Sequence, residues 1–226
     1  NEKYFITGSY DMNVMVTTSN EIYDYSKPPN FSKFSEHNDY ILAVAVCGDI
    51  LISSSSEPLI LLSKIEDNKI QTFKSICLSN SVHTIFCNSD NEILFGTTDG
   101  KLLLTYINSP NDQNQIYIYD SPTKVLSKNS SLLACGYLDG TVLLFKIKNE
   151  SNKNKNEYKY IEKKKFSSRI VSISPYKEKF IIFTDNGNIY DLNNEKPESI
   201  EIGKPISYGC VTIIDDLQQT KTSDKS

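Results

Sequence analysis

Leu133-Ala134-Cys135-Gly136-Tyr137-Leu138-Asp139-Gly140-Thr141-Val142-Leu143-Leu144-Phe145 reads as two short apolar strands joined by a tight turn. Asp139-Gly140 supplies the turn, because glycine reaches positive φ without a steric penalty and aspartate bonds its own neighbouring backbone. The flanking residues are apolar, aromatic or β-branched, as pleated strands prefer. Four more stretches repeat the pattern: FITGSYDMNVMV from Phe5, LISSSSEPLILL from Leu51, LFGTTDGKLLLTY from Leu94 and FIIFTDNGNIYDL from Phe180. Asp99-Gly100 and Asn186-Gly187 reuse the turn device. Aligning Asp11, Glu57, Asp99, Asp139 and Asn186 gives spacings of 46, 42, 40 and 47 residues. A fixed period of this size marks a repeat architecture, in which each copy buries its faces against the next.

Strand-like runs surround these hairpins. Ile41–Cys47, Val82–Cys87, Lys124–Ser127 and Ile170–Ser174 each precede one, and Thr72–Cys77, Gln115–Tyr119 and Tyr158–Ile161 each follow one. No window of a dozen residues keeps a 3.6 period without a turn signal inside it. The expectation is an all-β chain built from four-stranded antiparallel units. One such sheet cannot bury both of its faces alone. Radial packing of several covers the faces and leaves only short edges.

The hairpins and their lead-in strands resemble WD repeats. His37-Asn38-Asp39-Tyr40-Ile41-Leu42-Ala43-Val44, followed by Gly48-Asp49-Ile50-Leu51-Ile52-Ser53, is similar to the family's lead-in, with Glu36 where glycine is usual. Ser167-Ser168-Arg169-Ile170-Val171-Ser172-Ile173-Ser174-Pro175 resembles another lead-in, and the stretch from Leu133 to Val142 resembles the family's hairpin. The resemblance covers residues 4–192 and departs in one respect throughout: no repeat ends in Trp-Asp, and the chain has no tryptophan. Phe145-Lys146 takes that place in the fourth repeat and Thr17-Thr18 in the first. The family's intra-blade set of Asp, His, Ser/Thr and Trp has a partial counterpart only in the second repeat, from His37, Ser53 and Glu57. The resemblance implies a WD-repeat-like β-propeller over residues 1–216, with five blades recognisable. Two closures remain open. In one, the ring has five blades and Tyr208–Ile214 supplies the strand that the first blade lacks. In the other, the five are part of a seven-bladed propeller.

Composition narrows the function classes. The chain has 226 residues, 38% of them hydrophobic, and a net charge of −4. Acids and bases are interspersed, so no broad basic surface for nucleic acid is expected. No apolar run is long enough to span a bilayer. Cys47, Cys77, Cys87, Cys135 and Cys210 are odd in number and contain no Cys-x-x-Cys pair. They read as free thiols of a reducing cytoplasmic or nuclear compartment rather than as disulfides or a zinc site. Residues 148–157, within the Asn/Lys-rich stretch Lys148–Lys165, are expected as a flexible loop. Ser26–Ser35 and Ser109–Gln115 are expected as further loops, and residues 217–226 as a disordered polar tail.

Catalytic signals are absent. The sequence holds no nucleophile elbow, phosphate loop, zinc-helix motif or dinucleotide glycine pattern. The histidines are His37 and His83, read as a blade residue and a strand residue. Asp11, Asp99 and Asp139 sit where the turns require them, so they read as structural together with Gly100, Gly140 and Gly187. No cofactor or metal is expected. The resulting expectation is a non-enzymatic scaffold, a subunit of a larger complex, that presents loops at the hairpin tips to other proteins. Tyr10, Glu57, Thr98, Leu138 and Arg169 are the contact candidates, by position and by the bias of binding hot spots toward Tyr and Arg. The competing reading is a hydrolase whose carboxylates converge on a central pocket, one protonated and one ionised.

Overall fold

A computed structural model describes residues 3–66, 69–88, 91–150, 155–192 and 200–201. They form five small antiparallel sheets, each a meander whose strands pair in sequence order. The first sheet holds β1 (Tyr4–Gly8), β2 (Val14–Thr18) and β3 (Ser32–Phe34), with a five-residue helix α1 (Ser19–Tyr23) between the last two. The second holds β4 (Ile41–Cys47), β5 (Ile50–Ser55), β6 (Leu59–Glu66) and β7 (Lys69–Cys77). β8 (Val82–Cys87), β9 (Glu92–Thr97), β10 (Lys101–Tyr106) and β11 (Ser109–Ile118) make the third. The fourth consists of β12 (Thr123–Lys128), β13 (Leu132–Tyr137), β14 (Thr141–Glu150) and β15 (Lys155–Lys165). The fifth consists of β16 (Ile170–Tyr176), β17 (Lys179–Thr184), β18 (Asn188–Asp191) and β19 (Ile200–Glu201).

The period-2 alternation of strands explains how these sheets bury both faces. Four apolar clusters lie between successive sheets. Neighbouring residues of one strand go to different clusters. In the second sheet Leu51 and Leu61 join Val14, Val16 and Phe34 of the first. Ile52, Ile60 and Leu62 instead join Ile93, Phe95 and Leu103 of the third. Leu94, Leu102 and Leu104 then pack on Leu133, Cys135, Leu143 and Phe145 of the fourth. Ala134, Val142 and Leu144, interleaved with those, pack on Ile173, Phe180 and Ile182 of the fifth. The first strands run side by side through the stack, β1 on β4, β4 on β8, β8 on β12 and β12 on β16. Phe145 lies on β14, in the cluster between the third and fourth sheets. It is fully buried, with Tyr117 and Tyr160 edge-on to its ring.

Two small features recur with the period. Gly140 and Gly100 hold φ of 86° and 80°, and a side chain at either would run into backbone carbonyls of Ser168 or Tyr119. Gly187 has φ of 84° at the matching place. A second glycine position faces the next sheet. A Cβ on Gly136 would lie 2.6 Å from Val125 Cγ1 and 2.8 Å from Ile170 Cγ2, and Gly8 and Gly96 face Ile41 and Thr123 in the same way.

Some loop expectations are corrected. Residues 148–157 are not a loop where described: Lys148 pairs with Glu157, Asn149 with Asn156 and Glu150 with Lys155. Asn156 and Tyr158, in this ladder, also dock on a buried carboxylate, described below. Ser109–Gln115 is likewise strand β11, where ladder bonds satisfy the backbone whatever the side chains are. Within Ser26–Ser35, β3 forms because Phe34 enters the core between the first two sheets. Tyr208–Ile214 and residues 217–226 lie outside the described residues.

Candidate functional site

In each four-stranded sheet the hairpin tip is tied to the segment that leads into that same sheet. Ser56 N donates to Tyr40 O at 2.9 Å, Thr98 N to Ser81 O at 3.0 Å, Leu138 N to Pro122 O at 2.9 Å and Asp185 N to Arg169 O at 3.0 Å. The first tip is tied instead to the next sheet, where Ile41 N donates to Ser9 O at 3.2 Å. The tips and the starts of the lead-in strands therefore share one end of the stack. All five sequence candidates lie there: Tyr10, Glu57, Thr98 and Leu138 on tips, and Arg169 just before β16.

They differ in availability. Tyr10 is 62% exposed, and its ring lies 5.2 Å from that of Tyr40, itself 48% exposed. Glu57 is partly occupied by its own sheet, accepting from Asn38 N at 3.3 Å and from Ser55 Oγ at 3.3 Å. Thr98 and Leu138 are half-buried. Arg169 is exposed and donates through Nε to Asp185 Oδ2 at 2.7 Å.

Sequence reasoning missed a second row of side chains at this end. The first strand of every four-stranded sheet opens with a register irregularity, at Ile41/Ala43, Val82/Thr84, Thr123/Val125 and Ile170/Ser172. A bulge sets two residues against one and re-aims the extra side chain. The extra residues are Leu42, His83, Lys124 and Val171. Lys124 Nζ lies 3.0 Å from His83 Nδ1. Burial pushes the His83 pKa down, and the Lys124 charge pushes it further. The Lys124 pKa is lowered by burial first and then by the charge of Arg169. The available signal was that Val82-His83-Thr84 and Thr123-Lys124-Val125 sit one repeat apart.

The turn carboxylates stay in their turns. Asp139 accepts from Thr141 N at 2.9 Å and pairs with Lys165 at 2.8 Å. Burial raises its pKa, but the bonds from Lys165 and Thr141 outweigh that and hold it below the usual carboxylate range. Asp99 is lowered on balance too, because bonds from Lys101 and Thr97 overcome its burial. Asp11 is lowered by its bonds to Asn13 and Ser9. None of the three is held protonated as an acid catalyst requires. The buried carboxylate is Glu92, 0% exposed, which takes Tyr158 Oη at 2.7 Å, Asn156 Nδ2 at 3.0 Å, Asn88 Nδ2 at 2.9 Å and the Lys128 ammonium. It is sealed between the third and fourth sheets, away from any substrate in solvent.

His37, 4% exposed, meets Ser53 Oγ through Nε2 at 2.8 Å, while Glu57 turns to Asn38 and Ser55 instead. Two members of the expected set are thus joined and the third is not. Among the described residues no group of three or more His, Cys, Asp or Glu side chains is placed to hold a metal ion, and no helix is long and apolar enough to cross a membrane. Cys47 is buried and its thiol donates to Asn88 O at 2.7 Å, Cys135 is a buried thiol, Cys87 a half-buried one and Cys77 an exposed one. Compared with known protein families and with curated proteins, the chain matches none.

Proposed function

We propose that this chain is a WD-repeat-like β-propeller, or five blades of a larger one, serving as a non-enzymatic scaffold that holds partner proteins on its hairpin-tip end. The observation that carries the reading is the recurrence, in all four four-stranded sheets, of one tip-to-lead-in hydrogen bond and one bulge. This backbone frame is constant, while the side chains mounted on it vary: Tyr10, Tyr40, Leu42, His83, Lys124 and Arg169. A rigid scaffold with variable surface groups is what recognition needs. The hydrolase alternative draws no support from the turn carboxylates, each of which is occupied within its own hairpin.

The test is Tyr10→Ala combined with Arg169→Ala, in affinity capture with mass-spectrometric identification of the bound proteins. Proteins held by the native chain should be lost from the double variant. The melting temperature should change little, since an exposed ion pair contributes only about 0–1 kcal/mol. Unchanged capture would exclude this end as the partner surface.

A further inference from the structure

Three successive sheets each contribute one basic side chain to the same end of the stack. His83 and Lys124 occupy the same bulge position in β8 and β12, and Arg169 stands just before β16. Lys124 and His83 touch, at 3.0 Å, and β16, which Arg169 leads into, runs beside β12. An ammonium donates three hydrogen bonds and accepts none, so Lys124 donates to His83 Nδ1 and the neutral ring carries its proton on Nε2. Arg169 has five N–H donors, of which the Asp185 bond through Nε uses one. Among the described residues no carboxylate pairs with Lys124. A half-buried ammonium against an imidazole, with a guanidinium at the start of the neighbouring strand, is an arrangement that an added anion relieves.

We infer that His83, Lys124 and Arg169 form an oxyanion-binding site for an acidic side chain, phosphorylated or carboxylate, of an extended segment of a partner protein. The inference rests on the reading of the hairpin-tip end as the partner-binding end. Continuity along that end favours a peptide. The exposed Tyr10–Tyr40 ring pair lies on the first two sheets, beside the basic residues of the next three. Packed sheets are about 10 Å apart, which about three residues of extended chain span. A peptide thus reaches both the aromatic pair and the basic group. Nucleic acid would need many phosphate contacts along a broad basic track. The chain is instead net −4, and this cluster is local.

The experiment measures fluorescence anisotropy of short labelled peptides that carry an aromatic residue and, a few residues away, phosphoserine, glutamate or serine. Inorganic phosphate and oligothymidine serve as competitors. The native chain should bind the phosphoserine or the glutamate peptide and not the serine one, the tighter of the two naming the source of the oxyanion. Lys124→Met should weaken binding about tenfold or more, as loss of a charge-assisted bond does. Arg169→Gln, at an exposed position, should weaken it with no change in melting temperature. Lys146→Met, on the exposed face of β14, should bind like the native chain. Absence of binding, retention of affinity in Lys124→Met and Arg169→Gln, or displacement of the peptide by oligothymidine at lower concentration than by phosphate would each overturn the assignment. A parallel capture with Tyr10→Ala plus Tyr40→Ala separates the two levels. Partners lost there while the peptides fail to bind leave the partner-binding end intact and remove only the anion site. Peptides bound while partners are retained remove the reading of that end as a scaffold surface.

Discussion

The hydroxyl of Tyr158 donates to Glu92 Oε1 at 2.7 Å, tying the last strand of the fourth sheet to the third sheet. Glu92 is fully buried and also takes the Lys128 ammonium. Removing the carboxylate leaves Lys128, itself nearly buried, without its counter-charge. Glu92→Ala should therefore cost about 3–5 kcal/mol, and Tyr158→Phe about 1–2 kcal/mol. Urea unfolding midpoints check both. A Glu92→Ala chain as stable as the native one would show that the pair does not fasten the β14–β15 hairpin.

Gly136 faces Val125 and Ile170 so closely that a methyl group has no room. Gly136→Ala should destabilise by about 1–3 kcal/mol through forced displacement of the fifth sheet from the fourth. Gly48, at φ 59° with open space around its Cβ position, provides the contrast. There only backbone strain of about 1–2 kcal/mol applies, and none of the cost comes from packing. Thermal melts of Gly136→Ala and Gly136→Leu should fall progressively with side-chain volume, whereas Gly48→Ala and Gly48→Leu, neither branched at Cβ, should differ little.

Both histidines are held below their ordinary pKa. Burial is the main cause for His37, opposed by Glu57 and Glu36, and for His83 it is reinforced by Lys124. In the unfolded chain each takes up its proton near pH 6.5, and in the folded chain only at lower pH. The unfolded state thus binds more protons below 6.5. Stability is complete above that value and declines as pH falls from 6.5 toward the folded pKa. Urea midpoints should drop between about pH 7.5 and about pH 5.5. His37→Gln should show a shallower drop, leaving the share of His83. An equal slope in the two proteins would mean that His37 does not titrate across this window.

The thiols should differ in reactivity. Cys135 is buried and its pKa is raised well above the ordinary value, while that of Cys87 is pushed up to about 12, burial being the first cause in both. The thiolate is the reacting species, so both should resist alkylation in the native chain. Cys77 is exposed on the edge strand β7. A brief iodoacetamide pulse followed by peptide mass mapping should label Cys77 before the other described cysteines. Labelling of Cys135 at a similar rate would show that the fourth sheet opens readily.

Much of the strand order was legible in the residues. Ile41–Cys47 and Val82–Cys87 are strands as read, because a short β-branched or apolar run between turn residues carries a local signal. His37 and Ser53 were paired by resemblance and do meet, while Glu57 was assigned to the same set and bonds elsewhere. Residues 148–157, the outer half of the β14–β15 hairpin, read as loop because they are polar, although Tyr158–Ile161 beyond them reads as strand. Asn156 in that half and Tyr158 just beyond it bond to Glu92, far away in sequence, and no local pattern announces that.

The residues alone determined the period, the turn positions and the alternation of strands, since backbone strain at Gly100 or Gly140 and the two-residue pleat act within a few positions of the chain. The tertiary structure decided which basic groups meet, which carboxylate is sealed from water and which end of the sheets is left to carry Tyr10, Tyr40, Lys124 and Arg169. Those outcomes depend on contacts between side chains a full repeat or more apart, such as Lys124 with His83 and Tyr158 with Glu92, which exist only once the sheets have packed.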